Sequence, residues 1–435
     1  MSMLEKRENV RGRCLLVGLA CDSTADFENS DEITMAELAE LVKTAGGETV
    51  MTAMQNKHTP DPHTFIGEGK AAELKELIAA NEIDLTIVDN ELSPSQSRAL
   101  EEALSCRVID RSGLILDIFA DRARTAEGKL QVELAQYQYL LPRLTGMWTH
   151  LVRQTASGGS SPIGTRGPGE TQLETDRRHI RRKIQRLQED IRDLQRVRAT
   201  QRSKREKNEI PLICIVGYTN AGKSTLLNAL TGAEVHAADR LFDTLDPTTR
   251  LLHTQQVGDL LFSDTVGFIR KLPHHLIDAF RSTLEELTYA DVLLHVVDAS
   301  DEQWRLQSQV VEELISQLGA EKTPRILIFN KADRLREDQL PRESGALFCS
   351  ALKGLGLEQL VDRICQVLGE NLHTVDFVLP YAQAQLLDYL YRAANVRRAD
   401  YVETGIHVEA VVDEKVFGRL QEVLPPEQRR KHEEF

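Results

Sequence analysis

Eight consecutive residues, Gly217-Tyr218-Thr219-Asn220-Ala221-Gly222-Lys223-Ser224, have the types and spacing of a loop that wraps phosphate. Its glycines let the backbone curl and turn N–H groups toward an anion. Lys223 can neutralise phosphate oxygens, and the Ser224 hydroxyl can bind Mg²⁺. The run follows an apolar stretch over 210–216 and leads into a helical one from Thr225, which is the strand–loop–helix setting the chemistry needs. Further on, a strand over 260–263 ends in Asp264-Thr265-Val266-Gly267. There the aspartate would act in the second shell of the metal, and the Gly267 N–H would sense a γ-phosphate. Phe242-Asp243-Thr244-Leu245-Asp246 lies between the two, in a loop expected to close over the metal. Thr244 is the expected second hydroxyl ligand, with Thr248 and Thr249 as nearby competitors. The expected catalytic residues are Lys223, Thr244 and Gly267.

The base would be read further along. After strands over 292–298 and 325–329 comes Asn330-Lys331-Ala332-Asp333. The Asp333 carboxylate can accept both guanine N1–H and the 2-amino hydrogens, a pair adenine does not offer. Asn330 and Lys331 would brace it. Ser350-Ala351-Leu352, after a strand over 346–349, would supply a backbone N–H to guanine O6. Four such motifs in order imply binding of GTP and GDP and hydrolysis of GTP. Two details qualify the mechanism. Phe268 stands where Ras-like enzymes carry the glutamine that orients the attacking water, so slow intrinsic hydrolysis completed by another group is expected. Asn220 occupies the position where potassium-activated GTPases hold K⁺ between phosphates; simple loop filler explains it equally well.

These residues need elements to hold them. Apolar runs alternate with helical patterns over 14–118, which implies a largely parallel α/β domain. Ser93-Pro94 marks a helix start inside it, and 66–70 (Ile-Gly-Glu-Gly-Lys) reads as a plain turn more readily than as a second nucleotide site. Leu130, Leu134, Tyr137, Leu141, Leu144, Trp148 and Leu151 follow a 4-3 rhythm, as do Ile180, Ile184, Leu187, Ile191 and Leu194. Two such helices pack as an antiparallel hairpin, with a kink or break expected at Pro142. The Gly- and Pro-rich stretch over 155–170 would form its tip. The expected fold is multidomain α/β: an N-terminal α/β domain (1–120) with a helical coiled-coil hairpin (121–208), a Ras-like P-loop GTPase domain (209–370) and a small C-terminal α/β domain (371–435).

Length, at 435 residues, fits about three domains. No apolar run approaches the roughly 20 residues of a membrane span, so no stable membrane insertion is expected, and no apolar signal region follows the basic N-terminus, so a cytoplasmic location is expected, peripheral membrane association staying open. A monomer is expected, with nothing in the sequence to fix oligomeric state. The six cysteines form no C-x-x-C pair, which argues against a metal or disulfide framework. Net charge is −14, yet 171–207 holds 13 Lys/Arg against 6 Asp/Glu, leaving −21 on the rest. A basic block in an acidic protein points to a local polyanion. Arg177, Arg178, Arg181, Arg182 and Lys183 are the expected RNA contacts; a merely solvated helix face is the alternative.

Three further stretches carry a resemblance: Val108-Ile109-Asp110-Arg111-Ser112-Gly113 continuing to Phe119, Gly128-Lys129-Leu130-Gln131-Val132-Glu133 continuing to Gln136, and Gly167-Pro168-Gly169-Glu170-Thr171 continuing to Asp176. With the nucleotide motifs, the chain over about 14–370 resembles the HflX family of the Obg–HflX group. The resemblance implies a partner in the large ribosomal subunit and its 23S rRNA. The helical domain and its loop would reach toward the peptidyl-transferase region, and the GTP form would split stalled ribosomes under stress. It also implies ATP binding by the N-terminal domain. Three other roles compete: a large-subunit assembly GTPase, a regulatory switch contacting a protein partner, and an RNA-unwinding motor. The last is weakened because no second phosphate loop of this type occurs outside 217–224.

Overall fold

The computed structural model describes residues 12–21, 30–147, 168–207, 210–233, 240–254, 257–273, 276, 284–369, 372–420 and 423–425. Three sheets organise them. The first is parallel, in the order β2-β1-β3-β4, from β1 (Arg13–Ala20), β2 (Glu48–Asn56), β3 (Leu85–Val88) and β4 (Arg107–Asp110). Helices α1 (Ser30–Thr44), α2 (Glu68–Ala80) and α3 (Pro94–Leu104) connect its strands. The start of α3 follows from sequence chemistry. Pro94 fits the first helical turn, the Ser93 hydroxyl accepts from Gln96 N (3.2 Å), and the Gln96 side chain accepts from Ser93 N (3.1 Å). At Gly67, the N–H donates to Gln55 Oε1 (2.9 Å) and Lys70 pairs with Glu73 (2.8 Å).

α4 (Arg111–Arg122) leads into α5 (Ala126–Met147), which packs along α6 (Pro168–Lys207). Leu134, Leu187 and Ile191 form the buried seam, flanked by Leu130, Tyr137 and Ile184, so the 4-3 spacing becomes packing. Trp148, Leu151 and the glycine-rich stretch up to Gly167 lie outside the described residues. The break expected at Pro142 does not occur: α5 runs through it to Met147. Anchors on both sides hold the helix there. Tyr139 Oη donates to Asp110 Oδ1 (2.8 Å), and Arg143 donates to Asp110 Oδ2 (2.8 Å) and the Leu92 carbonyl (2.9 Å).

The second sheet runs β10-β9-β8-β5-β7-β6, from β5 (Leu212–Gly217), β6 (Thr248–Thr254), β7 (Gly258–Asp264), β8 (Val292–Asp298), β9 (Arg325–Asn330) and β10 (Leu347–Phe348). Its pairings are parallel except β6 with β7. Every residue of β5 is buried, as a central parallel strand covered on both faces must be. Helices α7 (Lys223–Thr231), α8 (Trp304–Gln317) and α9 (Leu357–Gly369) belong to this unit. One apolar cluster joins Phe119, Val132 and Ala135 to Phe242, Leu245 and Phe268, so the hairpin base and the nucleotide unit share a core.

The third sheet is antiparallel, β11-β13-β12, from β11 (Leu372–Leu379), β12 (Asn395–Val402) and β13 (Gly405–Asp413). α10 (Gln385–Ala393) and α11 (Glu414–Leu420) bring Leu390, Val416 and Leu420 onto its apolar face. The pattern of β12 gave no warning, because an edge strand with the sequence NVRRADYV lacks an apolar run. No helix among the described residues is long and apolar enough to cross a membrane.

Candidate functional site

The C-terminal ends of β5, β7, β9 and β10 bring the four motifs to one edge of the second sheet, where ligands of open α/β sheets bind. A solvent-open cleft of about 430 Å³ there is lined by Thr219, Asn220, Lys223, Ser224, Thr244 and Gly267 among others. The loop backbone explains its glycines. A Cβ on Gly217 would overlap the Val296 carbonyl, and Gly222 lies at φ +91° with Asn330 Nδ2 directly against it. Asn220 is also left-handed, at φ +62°, a conformation asparagine tolerates better than most residues.

Lys223 donates to the Tyr218 carbonyl (2.7 Å) from a buried position. Burial pulls its ammonium down to about 8, against the opposing pull of Asp264. Burial likewise pushes the Asp264 carboxyl up, and Lys223, Ser224 and Thr244 oppose it. Ser224 Oγ lies 2.8 Å from Thr244 Oγ1 and 2.5 Å from Asp264 Oδ2. Thr248 instead pairs with Asp264 in the β6–β7 register, and Thr249 is exposed. Asp264 Oδ1 is buried without a hydrogen-bond partner among the described residues. Two hydroxyls and one under-satisfied carboxylate suit Mg²⁺ shared with phosphate oxygens, since that ion keeps several waters and takes few protein ligands.

On the base side, Asn330 Nδ2 donates to the Ala221 carbonyl (2.9 Å) while its Oδ1 accepts from Ala351 N (3.0 Å). One buried amide thus ties the phosphate loop to the 350–352 turn. Lys331 donates to the Asn220 carbonyl (2.8 Å) and pairs with Asp298 (2.7 Å). A hydrogen bond from Ser350, then the Lys353 charge, holds the Asp333 carboxyl below its usual range. The Leu352 side chain is exposed.

Several expected nucleotide contacts turn elsewhere. Asp246 gives its carboxylate to the start of the hairpin, accepting from Arg124 N (2.7 Å), Thr125 N (2.8 Å) and the Thr125 hydroxyl. In this structure it serves as an anchor of that joint. Leu245 is buried in the shared core, whereas Asp243 lines the cleft and also stands 3.9 Å from Arg122. Phe242 reaches the cleft, yet its ring packs edge-on against Phe119 at 4.8 Å. Thr265 lines the cleft although its hydroxyl donates to the Ile215 carbonyl (2.7 Å), and Val266 is buried. Thr225 lines the cleft. The Tyr218 side chain leaves the cleft, donating to Glu37 and accepting from Arg270 N (2.9 Å).

Phe268 is buried, and its backbone pairs with the phosphate loop through Thr219 N to Phe268 O (2.8 Å) and Phe268 N to Gly217 O (3.1 Å). Its side chain cannot orient a water. Arg240 lines the cleft and was not among the residues singled out from the sequence. A lone arginine shortly before 242–246 was the available signal. On the hairpin, Arg178, Arg181 and Arg182 are exposed, Arg177 is half-buried, and Lys183 pairs with Glu133 across the seam (3.1 Å). Lys183 thus spans the two helices while staying partly exposed.

Three family models match: GTP-binding GTPase N-terminal over 32–120, GTP-binding GTPase Middle Region over 122–205, and 50S ribosome-binding GTPase over 212–331. A GTPase HflX of Caldanaerobacter subterraneus subsp. tengcongensis is 47% identical over 395 residues, 91% of each chain. One of Escherichia coli is 43% identical, covering 87% of this chain and 89% of that protein. The crystal structure of a GTP-binding protein from the archaeon Sulfolobus solfataricus in complex with GDP is similar at 24% identity and a TM-score of 0.40, covering 82% of this chain and 99% of that one. The resemblance carried by the motifs is thereby borne out: the chain belongs to the HflX family of GTPases, enzymes that hydrolyse GTP.

Proposed function

We propose that this GTPase binds the large ribosomal subunit through its hairpin and, in the GTP form, separates stalled ribosomes in the cytoplasm, with hydrolysis stimulated by the ribosome. The observation that carries the reading is the one-sided charge of α6. Arg178, Arg181 and Arg182 face solvent while Ile184, Leu187 and Ile191 face α5. A basic face on a chain of net charge −14 is suited to a polyanion, and each arginine can bind phosphate bidentately. The description 50S ribosome-binding GTPase, matched over 212–331, supports the same partner.

In the cleft, Lys223 and the loop amides from Gly217 to Ser224 bind the β- and γ-phosphates, and Asp333 reads guanine. Asn330, Lys331 and Ser350-Ala351 hold the base pocket in shape. Ser224 and Thr244 are positioned to hold Mg²⁺ directly, with Asp264 behind them. The ion, when bound, supplies charge neutralisation to the phosphate oxygens. The Gly267 N–H senses the γ-phosphoryl group, whose transfer to water gives GDP and phosphate. Phe268 offers nothing to the attacking water, so we infer that the bound ribosomal particle supplies the missing activation. K⁺ beside Asn220 would add positive charge between the phosphates.

The test measures GTPase rate against large-subunit concentration at two salt levels, for the native chain and for Arg178, Arg181 and Arg182 changed together to Ala. GTP affinity should be unchanged, because the three are remote from the cleft. Stimulation should fall, and its salt dependence should flatten by about 0.9 for each phosphate no longer neutralised, if the rRNA behaves as duplex DNA does. Full stimulation of the variant at both salts would reduce the basic face to a solvated helix surface. Stimulation only by immature subunits would favour an assembly role.

A further inference from the structure

The loop over 242–246 has two faces. Thr244 points into the cleft, 2.8 Å from Ser224 Oγ. Its neighbours Leu245 and Asp246 point the other way, Leu245 into the shared core and Asp246 onto the start of the hairpin, while Asp243 lines the cleft with Arg122 3.9 Å away. The Asp246 contact is built with unusual completeness. One carboxylate oxygen accepts two successive backbone N–H groups, Arg124 N and Thr125 N, and the other accepts the Thr125 hydroxyl. The Thr125 hydroxyl oxygen in turn accepts from Gly128 N (2.9 Å). An acidic group at a helix start gains from the unpaired N–H groups and from the helix dipole.

Gly128 reports the same joint independently. A Cβ there would overlap Asp246 Oδ1 and stand 3.1 Å from Thr125 Oγ1, so a side chain at 128 would push the carboxylate off the helix start. That accounts physically for the glycine opening the stretch Gly128-Lys129-Leu130, to which the nucleotide chemistry assigns no role.

We propose that Asp246 is a positioning residue for Thr244, and that the Asp246–Thr125–Gly128 joint couples Mg²⁺·GTP binding to the root of the hairpin. The inference rests on Thr244 acting as a ligand of the metal bound with GTP. Only one residue, Leu245, separates Thr244 from a carboxylate fixed at the start of α5, a chain length too short to move one without the other. Anchoring keeps Thr244 beside Ser224 before the ligand arrives, which strengthens binding by preorganisation. Coupling of this kind is reciprocal, so the bound triphosphate must also steady the helix start.

The experiment uses the full chain with a fluorescent non-hydrolysable GTP analogue and fluorescent GDP, each in Mg²⁺ and in EDTA. Asp246→Ala and Gly128→Ala should weaken the analogue by roughly five- to 150-fold in Mg²⁺, the usual span of such coupling, and leave GDP unchanged. In EDTA the difference from the native chain should vanish. Asp246→Asn should retain the native affinity, since its amide oxygen can accept from the two N–H groups and its NH₂ can donate to the Thr125 hydroxyl. Hydrogen exchange at amides 124–128 should slow when the analogue binds the native chain and not when it binds Asp246→Ala. Native analogue affinity in Asp246→Ala, where Thr244→Ala loses it, would overturn the coupling alone. An equal loss for GDP would overturn it too, in favour of general destabilisation. Native affinity in Thr244→Ala would take down the ligand assignment and this inference together.

Discussion

Lys223 sits 6% exposed at the head of α7, surrounded by a loop whose shape two glycines and a bracing asparagine dictate. Arg178, Arg181 and Arg182 stand in solvent on a helix whose opposite side alone is packed. Both regions are proposed to meet phosphate, and they are built on opposite plans. In the cleft, groups are desolvated and fixed before the ligand arrives, so each contact is strong and position-sensitive. On the hairpin, long hydrated side chains keep their freedom, so binding would be a sum of weak, salt-screened contacts. Single substitutions of the buried cleft groups should therefore be severe, and those of exposed groups mild.

The largest effect should come from Lys223→Ala, which removes a buried charged donor from the phosphates. Such bonds contribute about 1.5–3 kcal/mol, so a loss of triphosphate affinity of roughly 10- to 150-fold is expected by titration. A pH readout sharpens it. Burial leaves the ligand-free ammonium titrating near 8, and phosphate binds the protonated form, so native affinity should decline as pH rises through that value. Lys223→Ala should lack that decline. Near-native affinity in the variant would erase the contrast with the hairpin.

Asp333→Asn comes next. The carboxylate is kept ionised by Ser350 and Lys353, which suits it to accept two guanine donors. An amide can accept only one of them and presents an N–H to the other. GTP affinity should drop about tenfold or more, and xanthosine triphosphate, with a carbonyl at that place, should gain. A variant that still prefers GTP in a competition titration would leave guanine selection to the 350–352 turn.

The cleft was legible in the sequence because its function depends on backbone shape. Gly222 and Asn330 are forced by close approach, and such constraints leave fixed letters at fixed spacing. The hairpin was legible as periodicity, Leu134 against Leu187 and Ile191. What escaped were contacts between segments far apart in the chain. Nothing near 242–246 signals that Asp246 is spent on Thr125, or that Tyr218 reaches Glu37 across 181 positions. The helix continues through Pro142 for the same reason, since Asp110 holds it through Tyr139 and Arg143. The strand β12 was hidden by its polar edge residues.

The smallest effect is expected at Asn220, and there the choice of substitution decides what is learned. Its left-handed backbone, with its carbonyl held by Lys331, explains an asparagine with no ion at all. A K⁺ ligand would explain it through the amide oxygen instead. Alanine confounds the two, because it removes the amide and also strains a backbone at φ +62°. Glycine removes the amide and keeps the conformation. Intrinsic hydrolysis of the native chain should run faster in KCl than in NaCl at equal ionic strength, which holds screening constant. Asn220→Gly should give equal rates in the two salts, close to the native rate in NaCl, with GDP affinity preserved. If Asn220→Gly keeps the preference for K⁺, the ion is held by other groups and the asparagine serves the turn. If the native chain shows no preference, the loop binds phosphate with Lys223 and its amides alone, and the cleft contains no alkali-ion position for Asn220 to serve.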